Sequence, residues 1–167
     1  MKYDRFEQLP VWQAAIALAR RIYSLTRLPT LRRQHSLRDQ MERAAVSISN
    51  NIAEGFERGT TQELLTFLYI ARGSAGEVRS MPCLLEGLPE FVDFKSEISN
   101  LKSAAEGVSR QLRAWADALQ SSSIKGQRYL DDKSRRADRA RRERQEFLEH
   151  LRQVQEENIR KTGKSGD

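Results

Sequence analysis

Between Ile98 and Leu119 the apolar residues Ile98, Leu101, Ala105, Val108, Leu112, Trp115 and Leu119 follow one another in alternating steps of three and four. That spacing places all seven on one stripe of an α-helix, the seam along which helices pack at about 20° to each other. A strand would need steps of two, and no stretch of the chain competes with that pattern. The fold must therefore bury one stripe of each helix against other helices.

Three earlier segments carry the same rhythm. The first holds Leu9, Trp12, Ile16, Ala19 and Tyr23. It is predicted to begin near Pro10, which suits a helix's first turn, and to stop before Pro29, which disfavours helical geometry at Leu28. The second holds Leu37, Met41, Ala44, Ile48, Ile52 and Phe56, with a left-handed cap expected around Gly59. Thr60-Thr61-Gln62-Glu63 then matches a capping box, so a third helix should start at Thr61 and turn Leu64, Phe67, Leu68, Ala71, Ala75 and Val78 inward. Pro82 is expected to bend or end it.

Short connections make successive helices antiparallel, so the expected fold is all-α, an up-down-up-down four-helix bundle occupying residues 1–121. Ser121-Ser122-Ser123 and Gly126 mark a change of composition, and residues 122–127 read as a linker. Residues 128–167 form a charged extension, helical or partly disordered, with disorder expected from Lys161 onward. Within it, residues 133–144 hold seven basic and two acidic side chains.

At 167 residues the chain can bury a substantial core without disulfides or a structural metal. Its one cysteine, Cys83, lies among Met81, Leu84 and Leu85, the setting of a packed thiol rather than a nucleophile. The amino terminus lacks the apolar run of a signal peptide, and no segment approaches the ~18 apolar residues of a membrane span. A cytoplasmic protein with no membrane partner is expected.

Metal and catalytic motifs are missing where this fold would need them. A di-iron bundle requires Glu-x-x-His pairs, yet Arg32 precedes His35 by three and Phe147 precedes His150 by three. Gly73-Ser74-Ala75-Gly76 lies in a helical pattern with no strand before it, so it is not a phosphate loop. Small residues there suit close approach of another helix, with Arg72 and Glu77 placed to pair across the contact. No cofactor and no catalytic activity are expected.

Net charge is +6 and the pI about 9.8, with arginine far in excess of lysine, a balance that favours polyanions. Clustered arginine on one surface neutralises phosphates and releases counterions. Candidates are Arg20, Arg21, Arg32, Arg33 and Arg38 in the bundle, and Arg135, Arg136, Arg139, Arg141 and Arg142 in the extension. A solvated helix face paired with nearby carboxylates is the competing explanation.

SISNNIAEGFER, residues 47–58, sets Asn50, Asn51, Glu54 and Gly55 beside the apolar Ile48, Ile52 and Phe56. Gly costs a helix about 1 kcal/mol relative to Ala, so something other than propensity holds it there. Asn51 and Glu54 fall on a stripe adjoining the core, where they need partners, with Arg43, Arg58 and Arg72 the candidates. Gly55 would permit close approach. The pattern reads as packing and assembly rather than as an active site.

Taken in order, LPVWQAAIALARRIYSLT, QMERAAVSISNNIAEGFERG and LLTFLYIARGSAGE resemble the bacterial four-helix-bundle family encoded in intervening sequences of 23S ribosomal RNA genes. The likeness covers roughly residues 5–120. More distantly, the chain is similar to the accessory variability determinant proteins that assist reverse transcriptases in diversity-generating retroelements. The resemblance implies a non-catalytic bundle that assembles as a ring-shaped homopentamer and binds nucleic acid, RNA in particular. Its distant branch would add a reverse transcriptase as partner. Matching positions include Arg43, Asn51, Glu54, Gly55, Arg58, Arg72, Gly73, Ser74 and Glu77. Glu42 stands where a second arginine is common, Ser49 replaces a frequent proline, and the extension after Ser121 is outside the usual pattern.

Overall fold

A computed structural model describes residues 3–122, 140 and 143–153, and every regular element among them is helical. The chain divides into two compact units, Met1–Arg128 and Tyr129–Asp167. In the first, a 3-10 turn at Phe6–Gln8 leads into α1 (Pro10–Thr26), a short α2 (Pro29–Arg32), α3 (His35–Glu57) and α4 (Thr61–Glu86). A second 3-10 turn at Pro89–Phe94 leads into α5 (Lys95–Gln120). In the second unit residues 143–153 are helical, and their side chains, Phe147, Leu148 and Leu151 included, are exposed.

Local chemistry sets the boundaries of α1 as expected. Pro10 occupies its first position, where a missing N–H costs nothing, and Leu28 before Pro29 is extended with φ −60° and ψ 139°. Pro29 then starts α2, a turn that seats the fully buried Leu31.

The corner between α3 and α4 differs from the left-handed cap expected at Gly59, since no described residue has positive φ. Extended backbone at Arg58 (φ −69°, ψ 142°) and Thr60 (φ −116°, ψ 152°) makes the turn instead. Thr60 caps α4, with Glu63 closing on its hydroxyl rather than on its backbone amide as in a full capping box. Its hydroxyl oxygen accepts from the Glu63 amide at 3.2 Å and its proton goes to the Glu63 carboxylate at 2.7 Å.

Pro82 does not end α4, which continues to Glu86. The ring is buried in the contact with the rest of the molecule, and packing of the flanking Val78 and Leu85 outweighs one lost backbone bond. Cys83, expected to be packed, is exposed, because Pro82 and Leu85 take the inward positions of that turn.

The core is drawn from α1, α3, α4 and α5. Ile48, Ile52, Leu64, Leu68, Ile98, Leu101 and Leu112 are almost fully enclosed, and each such side chain contributes about 1.5–3 kcal/mol by leaving water. α1 packs on α3 and α5, and α4 packs on the same two helices, so α1 and α4 are not neighbours.

In α1 the buried stripe runs through Val11, Ala15, Leu18, Ile22 and Leu25; of the expected stripe Leu9 and Ala19 are buried, whereas Trp12, Ile16 and Tyr23 are not. Both stripes have helical spacing. The aliphatic one wins because it runs unbroken to the helix end, whereas the other finishes on a phenol. Trp12 and Ile16 are half-buried, with Phe6 set edge-on against Trp12 at 5.3 Å, and Tyr23 is exposed. At the end of α5, likewise, Ala116 is buried where Trp115 was expected.

Candidate nucleic-acid interface

The five arginines singled out in the bundle do not behave alike. Arg21 donates from Nε and Nη2 to the Glu97 carboxylate at 3.2 and 3.0 Å, tying α1 to the start of α5. Arg38 donates to Asp39 at 2.7 and 3.0 Å, and that hydrogen bond holds the Asp39 carboxyl below its ordinary range. Both cations are thereby neutralised in place. Arg20, Arg32 and Arg33 are exposed, and none has a side-chain hydrogen bond or ion pair among the described residues.

Arg27, at the carboxyl end of α1, joins this unpaired set. It is a single arginine, outside the doublets Arg20-Arg21 and Arg32-Arg33 that stand out in the sequence. The available signal was its place seven residues after Arg20, two turns along the same face. Arg20 and Arg27 line one shallow depression of about 510 Å³ with Tyr23 and Ser24. Arg135, Arg136, Arg139, Arg141 and Arg142, the linker beyond Ser122 and the chain from Lys161 lie outside the described residues.

The packing signature resolves into contacts between α3 and α4 of one protomer. A Cβ built on Gly55 would lie 2.7 Å from Phe67 Cβ and 3.2 Å from Leu64 Cδ1, so glycine lets the two helices touch. Arg58 sits 5.3 Å above the Phe67 ring, bonds Glu54 at 2.8 Å and approaches Glu63 at 3.5 Å. The expected Glu54 partner is thus one of the three named.

Asn51 differs: it donates to the Ser47 carbonyl and hydroxyl at 2.7 and 3.0 Å, within its own helix, rather than to an arginine. Ser47 in turn bonds Ser74 across the helix contact at 2.9 Å. Of the remaining residues in that set, Arg43 and Glu77 are exposed and Arg72 is half-buried. None of the three has a side-chain hydrogen bond or ion pair among the described residues. Gly73 and Gly76 have nothing within 4 Å of a built Cβ, so among the described residues no helix makes the close approach expected there.

These elements coincide with a known family. The 23S rRNA-intervening sequence protein family matches residues 7–114. The chain belongs to this family. The match takes in α1 to α4 and most of α5, hence the unpaired arginines of α1 and α2 and the whole Gly55–Arg58 corner. The helix at residues 143–153 lies beyond the family match. No curated protein matches this member of the family. Among its described residues, no helix is long and apolar enough to cross a membrane.

Proposed function

We propose that this chain is a non-catalytic, oligomeric scaffold that binds nucleic acid, RNA in particular, in the cytoplasm. Its frame is an antiparallel up-down-up-down four-helix bundle, a reading supported by the pairwise packing of α1, α3, α4 and α5. One observation carries the binding function. Arg20, Arg27, Arg32 and Arg33 fall within residues 20–33 with no carboxylate among the described residues paired to any of them, while Arg21 and Arg38 nearby are tied to acids. Exposed guanidinium groups without acid partners are free to neutralise phosphates and release their counterions.

Assembly as a homopentamer, the expectation the family resemblance carries, is supported by the outer face of α4. There Tyr69 and Ile70 are exposed beside the open Gly73 and Gly76. A titration of structured RNA and DNA at low salt is expected to show binding that weakens steeply as salt rises. Absence of binding to either would refute the function. Recovery of a polymerase from the native host would favour the other use of the α4 face, docking a reverse transcriptase as its accessory subunit.

A further inference from the structure

Tyr23 is 38% exposed in the last turn of α1, where it lines two depressions. On the α1 side, Arg20 lies one turn before it and Arg27 one turn after, with about 10 Å of helix between them. Neither cation has a carboxylate partner among the described residues. On the other side lies a depression of about 600 Å³ lined by Arg43, Val46 and Asn50 of α3. Asn50 is exposed, and its amide makes no hydrogen bond among the described residues.

Two acids also border the α3 side. Asp39 is held by Arg38, and Glu42 accepts the buried Thr26 hydroxyl at 2.6 Å. With Asp39 paired to Arg38 and one Glu42 set against one Arg43, the charges on that side balance and leave it without a net attraction for phosphate. An aromatic face, an apolar wall at Val46 and a free amide suit a nucleobase, whereas the arginines on the opposite side suit the phosphates that flank it.

We infer that the outer face of α1 holds a single-stranded polynucleotide, stacking one base on Tyr23 with Arg20 and Arg27 clamping the adjacent phosphates. This rests on the nucleic-acid function above and names the ligand class that the site takes. Bases in an intact duplex are stacked on both sides and cannot reach the ring, so the site selects unpaired strands.

Fluorescence anisotropy of the full chain with a short labelled RNA, its DNA counterpart and the annealed duplex tests this. Both single strands are expected to bind more tightly than the duplex. Tyr23→Leu should weaken single-strand binding about five- to a hundredfold, with Tyr23→Trp restoring it and neither changing duplex binding. Arg20→Gln and Arg27→Gln should each flatten the salt dependence by about 0.7 in log–log slope. Tight binding that is indifferent to Tyr23→Leu, or a preference for duplex, overturns the stacking site while the wider function stands. Failure of the wild-type chain to bind any of the three overturns both.

Discussion

A methyl group at Gly55 would press on Phe67 Cβ at 2.7 Å, a contact that side chains cannot sustain without moving the helices apart. Gly55→Ala is therefore expected to lower stability by about 1–3 kcal/mol, the usual penalty of overpacking. Helix propensity alone would raise it by about 1 kcal/mol. Gly73→Ala and Gly76→Ala meet open space, so within a protomer propensity should prevail and stability should rise. Urea denaturation followed by circular dichroism separates the cases, and a Gly55→Ala protein as stable as wild type would remove the close contact from the account. Gly55 was legible in the sequence because a poor helix former beside core residues asks for a reason. The same signal at Gly73 and Gly76 marks no contact among the described residues, since a missing Cβ says nothing of what faces it. Arg20 and Arg21 were indistinguishable for a similar reason: the partner that neutralises Arg21 is Glu97, distant in the chain and adjacent only after folding.

At the scale of elements, helix ends were more readable than helix faces. Pro10, Pro29 and the Thr60–Glu63 box act through their own backbone and near neighbours, so their effects survive in the sequence. The inward stripe of α1 did not, because Val11–Leu25 and Trp12–Tyr23 are equally periodic and only packing on α3 and α5 decides between them. Pro82 shows the opposite override, a local breaker carried through by burial. The corner at Arg58–Glu63 joins both scales, because the cap of α4 shares Glu63 with the cation over Phe67. Thr60→Ala should cost about 1 kcal/mol, typical of a lost N-cap. Thr60→Ser should recover most of it, because a serine hydroxyl can take the same two bonds. Thermal unfolding of the two variants checks this, and equal losses from Ala and Ser would assign the effect to the threonine methyl instead of the cap.

For the whole molecule, charge and assembly are coupled. A net charge of +6 on one chain is a modest field, but the proposed ring would repeat the arginines of α1 and α2 around an axis and let one long strand engage several protomers. Because α1 and α4 are not neighbours, subunit contact through the outer face of α4 would leave the Tyr23 face of α1 uncovered. Ile70, 47% exposed beside Gly73, is the apolar centre of that α4 face. A charge there would have to be buried without a partner on assembly, which is costly, whereas in an isolated protomer it would stay in water. Ile70→Glu is thus expected to yield a monomer by light scattering with helix content unchanged. Affinity for a long strand should fall by roughly a hundredfold or more as avidity is lost, while a short oligonucleotide spanning one protomer's site should bind as before. An Ile70→Glu protein of unaltered size would show that the ring closes through another face. Equal losses for long and short strands would show that the substitution damages the site itself and not its repetition.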